Sequence, residues 1–234
     1  MVYKRILLKL SGESLGGESG SGLQTEMIRF YAEEIQSAVN MGVQVGLVIG
    51  GGNIFRGLTG IGKGFDRVQG DYMGMLATTI NSMAIQGALE SLDISATVLS
   101  GLPIDGLAEK FTKRKALSLL ARNHVVIIAG GTGNPYFTTD SGAALRAIEI
   151  EADVLLKGTR VDGIYNADPE KDPNAVKYNE LTYTETYEKK LSIMDLTAFT
   201  LCHENNLKTV VYNANIQGNL KRLLQGESIG TLVK

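Results

Sequence analysis

Short apolar runs alternate along this chain with longer stretches in which apolar residues return every three or four positions. Ile6-Leu7-Leu8-Lys9-Leu10 has the length and character of a strand. Between Thr25 and Met41, the residues Met27, Ile28, Tyr31, Ile35, Ala38 and Val39 share one face at helical spacing. Thr25 is placed to cap that helix and Gly42 to end it. Val43 to Ile49 predicts a second strand, Gly70 to Leu92 a long helix, Ile94 to Leu99 a third strand, and Lys113 to Arg122 a further helix. Val125-Val126-Ile127-Ile128-Ala129 is apolar throughout, as a strand covered on both faces of a parallel sheet must be. Ser141 to Ile150 reads as a helix and Val154-Leu155-Leu156 as a strand. Beyond Gly158 the pattern loosens into a polar stretch reaching about Lys177. A helix over Asp195–Asn205, a strand over Thr209–Tyr212 and a helix over Gly218–Leu224 complete the reading.

Strands that alternate with helices predict βαβ units. The expected fold is α/β, a three-layer sandwich with a mostly parallel central sheet. In such sheets ligands bind beyond the carboxyl ends of the strands. With no repeat, low-complexity tract or linker, the chain reads as one domain over 1–234. A division near Gly158 would give an N-terminal lobe, about 1–157, holding the acceptor, and a C-terminal lobe, about 158–234, holding a nucleotide base.

Composition narrows the function classes. At 234 residues the chain is long enough to bury a stable core. Its 44% hydrophobic and 21% charged residues suit a folded protein rather than a disordered one. A net charge of −2 leaves no broad basic face, so no nucleic acid is expected as a partner. The single cysteine, Cys202, excludes an internal disulfide, and with only two histidines it argues against a structural zinc site. The first apolar run is broken by Lys9 and lacks a small-residue cleavage site, so a secretory signal is not expected. Nor does any stretch approach the ~20 apolar residues of a membrane span, so the expected location is the cytoplasm, with no membrane partner. Glycine is the exception to this ordinary picture, with 28 residues where ~7% is usual.

Those glycines cluster after strands. Lys9-Leu10-Ser11-Gly12 follows the first, Gly50-Gly51-Gly52-Asn53 the second, Gly130-Gly131-Thr132-Gly133-Asn134-Pro135 the fourth, and Lys157-Gly158-Thr159 the fifth. In a parallel sheet all four gather at one edge, with Lys9, Lys157 and Arg56. Backbone N–H groups there approach an anion closely, and helix N-termini add positive potential. One Gly-Gly turn or one lysine at a strand end is ordinarily just a turn or a solvated charge. Four loops and three cations together imply a site for several phosphates. The P-loop pattern is absent, and G-x-G-x-x-G does not follow the first strand. Gly131-Thr132-Gly133 begins such a fingerprint, but Tyr136 stands where its third glycine would be. Phosphoryl transfer passes through a loose transition state, so positioning and charge neutralisation do most of the work. Asp140 is placed to orient a lysine or a metal-bound water, or to cap the helix at Ser141; the two roles are compatible.

Lys-Leu-Ser-Gly-Glu at 9–13, Gly-Gly-Gly-Asn-Ile-Phe-Arg-Gly at 50–57 and Gly-Thr-Gly-Asn-Pro-Tyr-Phe-Thr-Thr-Asp at 131–140 resemble the bacterial uridylate kinases of the amino acid kinase superfamily. So do Lys-Gly-Thr-Arg-Val-Asp-Gly-Ile-Tyr at 157–165, Ala-Asp-Pro at 167–169 and Met-Asp-Leu-Thr-Ala-Phe at 194–199. The likeness runs in order from Lys4 to the C-terminus. The resemblance implies reversible transfer of the ATP γ-phosphoryl group to UMP, giving UDP and ADP, in pyrimidine synthesis leading to CTP. It implies Lys9, Arg56, Asp140 and Lys157 as catalytic residues. It implies ATP binding by Lys9, Leu10, Ser11, Gly12, Gly52 and Arg56 at the phosphates and by Thr159, Tyr165 and Asp168 at the adenosine. UMP would be held by Gly51, Asp71, Thr132, Gly133, Asn134, Pro135, Tyr136, Phe137, Thr138 and Thr139. Mg2+ would arrive with ATP rather than on protein side chains. The family assembles as homohexamers and responds to GTP as activator and UTP as inhibitor. Gly17-Glu18-Ser19-Gly20-Ser21-Gly22 matches its GTP-activation loop, with Ser21 in place of the usual aromatic residue.

Several residues keep a plainer alternative. Asp71 suits ribose hydroxyls, or simply the first turn of the long helix. Tyr165 suits adenine stacking, or a core position. Asp195 supports the active site in the family, or is an N-cap. Three competing functions also stand at this point. A kinase of amino acids or carbamate would need cations for the acceptor's carboxylate. A nucleotide-dependent oxidoreductase would need the missing fingerprint. A nucleotide sensor would have no need of Lys9, Arg56, Asp140 and Lys157 together.

Overall fold

The structure is a computed structural model describing residues 2–55, 66–191 and 193–234. In chain order its strands are β1 (Arg5–Leu10), β2 (Gln44–Ile49), β3 (Ala96–Ser100), β4 (Glu109–Lys110), β5 (Val125–Ala129), β6 (Val154–Thr159), β7 (Ile164–Tyr165), β8 (Lys177–Tyr178), β9 (Glu180–Leu181), β10 (Lys208–Asn213) and β11 (Thr231–Val233). The α-helices are α1 (Thr25–Asn40), α2 (Arg67–Glu90), α3 (Lys113–Leu120), α4 (Thr139–Glu149), α5 (Tyr183–Glu188), α6 (Leu196–Glu204) and α7 (Asn219–Leu224). A 3-10 segment, Gly12–Ser19, follows β1.

Alternation along the central strands sends successive side chains into two different cores. Ile6, Leu8 and Leu10 enter one and Leu7 the other; Val125, Ile127 and Ala129 enter one, Val126 and Ile128 the other. The first core is closed by α1, α2 and α7 through Tyr31, Ile35, Ile85, Leu89, Leu220 and Leu224. The second is closed by α3, α4 and α6 through Leu120, Ala143, Ala147, Ala198 and Cys202. Two helical layers on one sheet make the expected three-layer sandwich. Each fully buried Leu or Ile contributes about 1.5–3 kcal/mol through dehydration. The nine-stranded sheet runs β4-β3-β5-β2-β1-β6-β10-β11-β9, and a separate two-stranded ribbon pairs β7 with β8. Within the large sheet only the β10–β11 pair is antiparallel among the described residues.

Several boundaries depart from the sequence reading. Thr25 does not cap α1; the N-cap is Gln24, with no side-chain capping bond. The long helix begins at Arg67 rather than Gly70, because the Asp66 carboxylate accepts from Val68 N and Gln69 N. Asp71 therefore lies in the second turn of α2, beyond the first-turn position expected for it. Asp140 does not cap its helix; Thr138 does, accepting from Asp140 N and Ser141 N. The polar stretch after Gly158 conceals the β7–β8 ribbon, whose two-residue strands offer no period to read.

One buried carboxylate shapes the carboxyl edge of β10. Glu34 on α1, 8% exposed, accepts from Gly218 N at 2.6 Å and from Leu220 N at 3.3 Å. The adjacent Tyr31 hydroxyl donates to Asn215 Oδ1 at 2.6 Å. Thus α1 pins the turn leading from β10 into α7. Glu34→Ala leaves those amides unpartnered and is expected to lower stability by about 1–3 kcal/mol. The effect should read as a reduced urea midpoint at unchanged slope. Glu33→Ala, at the exposed pair with Arg29, should stay within about 0.5 kcal/mol.

Candidate active site

The strands that carry the glycine-rich loops are four consecutive neighbours, β5-β2-β1-β6, all parallel. Their carboxyl ends therefore lie side by side, and the expected gathering of loops is present. The approach is too close for side chains. A Cβ on Gly12 would sit 2.4 Å from Gly50 O, and one on Gly51 would sit 2.7 Å from Gly74 O. The Gly50 N–H donates to Leu10 O at 3.0 Å, tying the first two loops together.

Lys9 and Lys157 are register partners on β1 and β6, so two ammonium groups face the same edge. Asp140, in the first turn of α4, bridges them: Lys9 Nζ lies 2.8 Å from Oδ1 and Lys157 Nζ 2.6 Å from Oδ2. The three side chains are only 13%, 15% and 18% exposed for Lys9, Lys157 and Asp140. Burial pushes the Asp140 carboxyl up, but the two lysines outweigh it and hold the group below the ordinary carboxylate range. Lys157 is pushed below the usual lysine value, first by burial and then by the Lys9 charge, against the pull of Asp140. Its ammonium also donates to Ile193 O. Asp195 is the N-cap that its plainer reading foresaw. It caps α6 by accepting from Ala198 N at 3.0 Å, and it braces α4 by accepting from Ser141 Oγ at 2.8 Å and from Thr138 Oγ1. These groups line a cavity of about 480 Å³ with Thr138, Thr139 and Met194.

A second cavity, of about 560 Å³, shares Thr138 and Thr139 with the first. Gly51, Gly52, Asp71, Thr132, Asn134 and Phe137 line it, with Glu13, Arg67 and Thr78. Gly133, Pro135 and Tyr136 belong to the same loop without lining the cavity. The Thr132 hydroxyl donates to Asn134 O and accepts from Asn134 N, both at 3.1 Å, which locks the turn. Tyr136 is 67% exposed and holds φ at 73°, in the left-handed region. Its N–H donates to Asp71 Oδ2 at 2.8 Å.

Three residues that support this loop were missed in the sequence. Arg67 Nε donates to Asp71 Oδ2 at 2.7 Å, and its guanidinium lies 5.5 Å from the centre of the Tyr136 ring. Thr78 Oγ1 accepts from Gly130 N at 2.8 Å, and buried Arg146 donates to Gly131 O at 3.0 Å. The i,i+4 spacing of Arg67 and Asp71 was a usable signal once the helix is started at Asp66. Thr78 and Arg146 act across 52 and 15 residues of chain, with no local pattern to reveal them.

The other expected residues fall outside the two cavities. Leu10 is buried in the first core, so only its main chain faces the loops. Thr159 donates to Val161 O at 2.6 Å, and the Tyr165 hydroxyl donates to Asp162. Tyr165 is half-buried rather than a core residue. Asp168 is ion-paired with Lys171 at 3.0 Å on the surface. Of the Gly17–Gly22 loop, Gly17 kinks the 3-10 segment with a non-helical φ of 59°, and Gly22 exchanges bonds with Asn53: its N–H donates to Asn53 O and its carbonyl accepts from Asn53 Nδ2. Arg56 lies outside the described residues.

Comparison with known proteins places the chain in a family. The model of the amino acid kinase family matches residues 4–213. Uridylate kinase of Parabacteroides distasonis is 58% identical over 231 residues, 99% of this chain and 98% of that protein. The chain belongs to the uridylate kinases of the amino acid kinase family. The uridylate kinase of Porphyromonas gingivalis is 55% identical, over 99% of this chain and 97% of its own. Two solved structures superpose along the whole chain, each at 36% identity. UMP kinase of Bacillus anthracis has a TM-score of 0.97 with 97% of its chain covered, and UMP kinase of Ureaplasma parvum has 0.94 with 100% covered.

In this family member Asp140 and Lys157 each make stability rise with pH, in two separate windows. Asp140 titrates lower folded than unfolded, so its contribution is present above about pH 3.9 and is lost as pH falls through the folded value. Lys157 also titrates lower folded than unfolded, so its ammonium is a burden that lifts as pH rises from the folded value towards about 10.4. Asp140→Asn leaves two neighbouring ammonium groups without their carboxylate, and should lose about 3 kcal/mol at neutral pH. That loss should shrink as pH approaches the lysine range. Urea unfolding at several pH values measures it, and a loss independent of pH would assign the role of Asp140 to packing.

Proposed function

We propose that this chain transfers the γ-phosphoryl group of ATP to UMP, reversibly, giving UDP and ADP for pyrimidine nucleotide synthesis leading to CTP. The observation that carries this reading is the pair of adjoining cavities. One presents two ammonium groups, the other a neutral polar loop with the carboxylates of Asp71 and Glu13 and the guanidinium of Arg67, and the N-terminal turn of α4 borders both. Donor phosphates in the first cavity would meet Lys9 and reach beyond it toward the amides of Ser11-Gly12. The acceptor phosphate would meet the N-terminus of α4 at Thr138 and Thr139, where the helix dipole favours an anion. Lys157 and Lys9, aligned by Asp140, would stabilise charge on the transferring group without any proton abstraction.

Acceptor choice follows from the second cavity. The carboxylate of an amino acid would be repelled by Asp71, whereas ribose hydroxyls donate to it. Uracil would meet the Thr132–Thr139 loop. Asp140 is already ion-paired with both lysines, which suits Mg2+ carried on ATP oxygens rather than held by this chain. When bound, Mg2+ would neutralise phosphate charge beside them. Thr159, Tyr165 and Asp168 would hold adenosine, which assigns the lobe of about 158–234 to the nucleotide base and that of about 1–157 to the acceptor. Arg56 would add a third cation.

We further infer a homohexamer, GTP activation through the Gly17–Gly22 loop, UTP inhibition and a cytoplasmic location. Tyr72, Leu76, Ile80 and Met83 form an exposed apolar stripe along one face of α2, which supports self-association. No helix among the described residues is long and apolar enough to cross a membrane.

The test is an acceptor screen in which purified protein with Mg·ATP is offered UMP, CMP, dTMP, AMP, aspartate, N-acetylglutamate and carbamate. Selective ADP release with UMP is expected, and turnover of an amino acid would overturn the acceptor assignment. Lys9→Ala should lower kcat by about 100-fold or more while the unfolding midpoint remains close to wild type. Near-wild-type turnover by that variant would remove Lys9 from the transfer step.

A further inference from the structure

Asp71 has two carboxylate oxygens in very different surroundings. Oδ2 accepts from Arg67 Nε at 2.7 Å and from Tyr136 N at 2.8 Å, while among the described residues neither bond falls on Oδ1. The ion pair is mostly buried, with side-chain exposures of 33% for Arg67 and 12% for Asp71. Arg67 also stacks over the ring of Tyr136, whose left-handed backbone requires an external hold. Arg67, Asp71 and Tyr136 therefore close a clasp between the start of α2 and the acceptor loop.

We propose that Arg67 is a positioning residue that sets selectivity for the acceptor's sugar. By engaging Oδ2 together with the Tyr136 amide, it fixes the carboxylate plane and leaves Oδ1 to receive ribose hydroxyls. Because the guanidinium is planar, its Nε bond and its stacking hold that orientation together, which a lysine ammonium does not reproduce. This role rests on the acceptor site proposed above. It differs from simple anion recognition, since an arginine serving the acceptor phosphate would treat ribose and deoxyribose acceptors alike.

The experiment compares full-length wild type, Arg67→Met and Arg67→Lys. It reads KM for UMP and for ATP, kcat, the ratio of kcat/KM for UMP over 2′-deoxy-UMP, and amide hydrogen exchange at Tyr136. Arg67→Met is expected to raise KM for UMP about tenfold and to reduce the ribose preference by a similar factor. Its KM for ATP and its kcat should stay within about twofold. The Tyr136 amide should exchange faster in this variant, and Arg67→Lys should lie between it and wild type. A raised KM for UMP with an unchanged ribose ratio would overturn the proposal in favour of phosphate contact, as would unchanged exchange at Tyr136. A wild-type enzyme that turns over both acceptors equally also overturns it. Failure of wild type to phosphorylate UMP at all would instead refute the acceptor site itself.

Discussion

Two ammonium groups cannot stand at register positions on adjacent strands without a counter-charge. Lys9 and Lys157 occupy such positions at the carboxyl ends of β1 and β6, and both are largely shielded from water. Like charges opposed across a sheet are destabilising, and partial burial strengthens the repulsion. Asp140 resolves it with one oxygen for each lysine. That solution dictates much around it. The first turn of α4 must be held against the sheet edge, so Thr138 caps the helix and Asp195 braces Thr138 and Ser141. The carbonyl of Ile193, just ahead of Asp195, receives the remaining Lys157 bond. A polyphosphate entering this cavity meets a pair of cations already aligned by the protein.

Strand order makes that alignment possible. The loops with chemistry come from four neighbouring strands, so no group has to reach across the sheet. Both faces are sealed by apolar helices, leaving the carboxyl edge as the place where polar side chains converge. The Gly130–Tyr136 loop is then fixed from three sides. Thr78 holds Gly130, Arg146 holds Gly131, and Asp71 with Arg67 holds Tyr136. Such restraint suits a reaction whose rate depends on aligning two phosphates.

The parts legible in sequence are those written in local pattern. Val125–Ala129 was readable to the residue, because an unbroken apolar run between turn signals has few alternatives. The gathering of Lys9, Asp140 and Lys157 followed from parallel topology together with motif resemblance. What escaped depended on distant contacts or on very short elements. Nothing near Thr138 announces it as the cap in place of Asp140, since both residue types suit that position. Asp66 concealed the start of α2 because the turn after it, Arg67 to Gly70, carries no apolar periodicity. Two-residue strands such as β7 and β8 exist only through pairing.

The site's carboxylates also bear on mechanism. Asp140 is bound by two lysines, Asp195 by Thr138, Ser141 and the Ala198 amide, and Asp71 by Arg67 and the Tyr136 amide. A general base must accept a proton near the working pH, yet Asp140 is held below the ordinary carboxylate range. All three are committed to orientation instead. One aligns cations, one anchors a helix N-terminus and one holds the loop at Tyr136. An oxygen of the acceptor phosphate carries its own negative charge and needs no base to become a nucleophile. A constellation of positioned cations with these three acids already engaged thus suits phosphoryl transfer between phosphates better than chemistry that begins with proton removal.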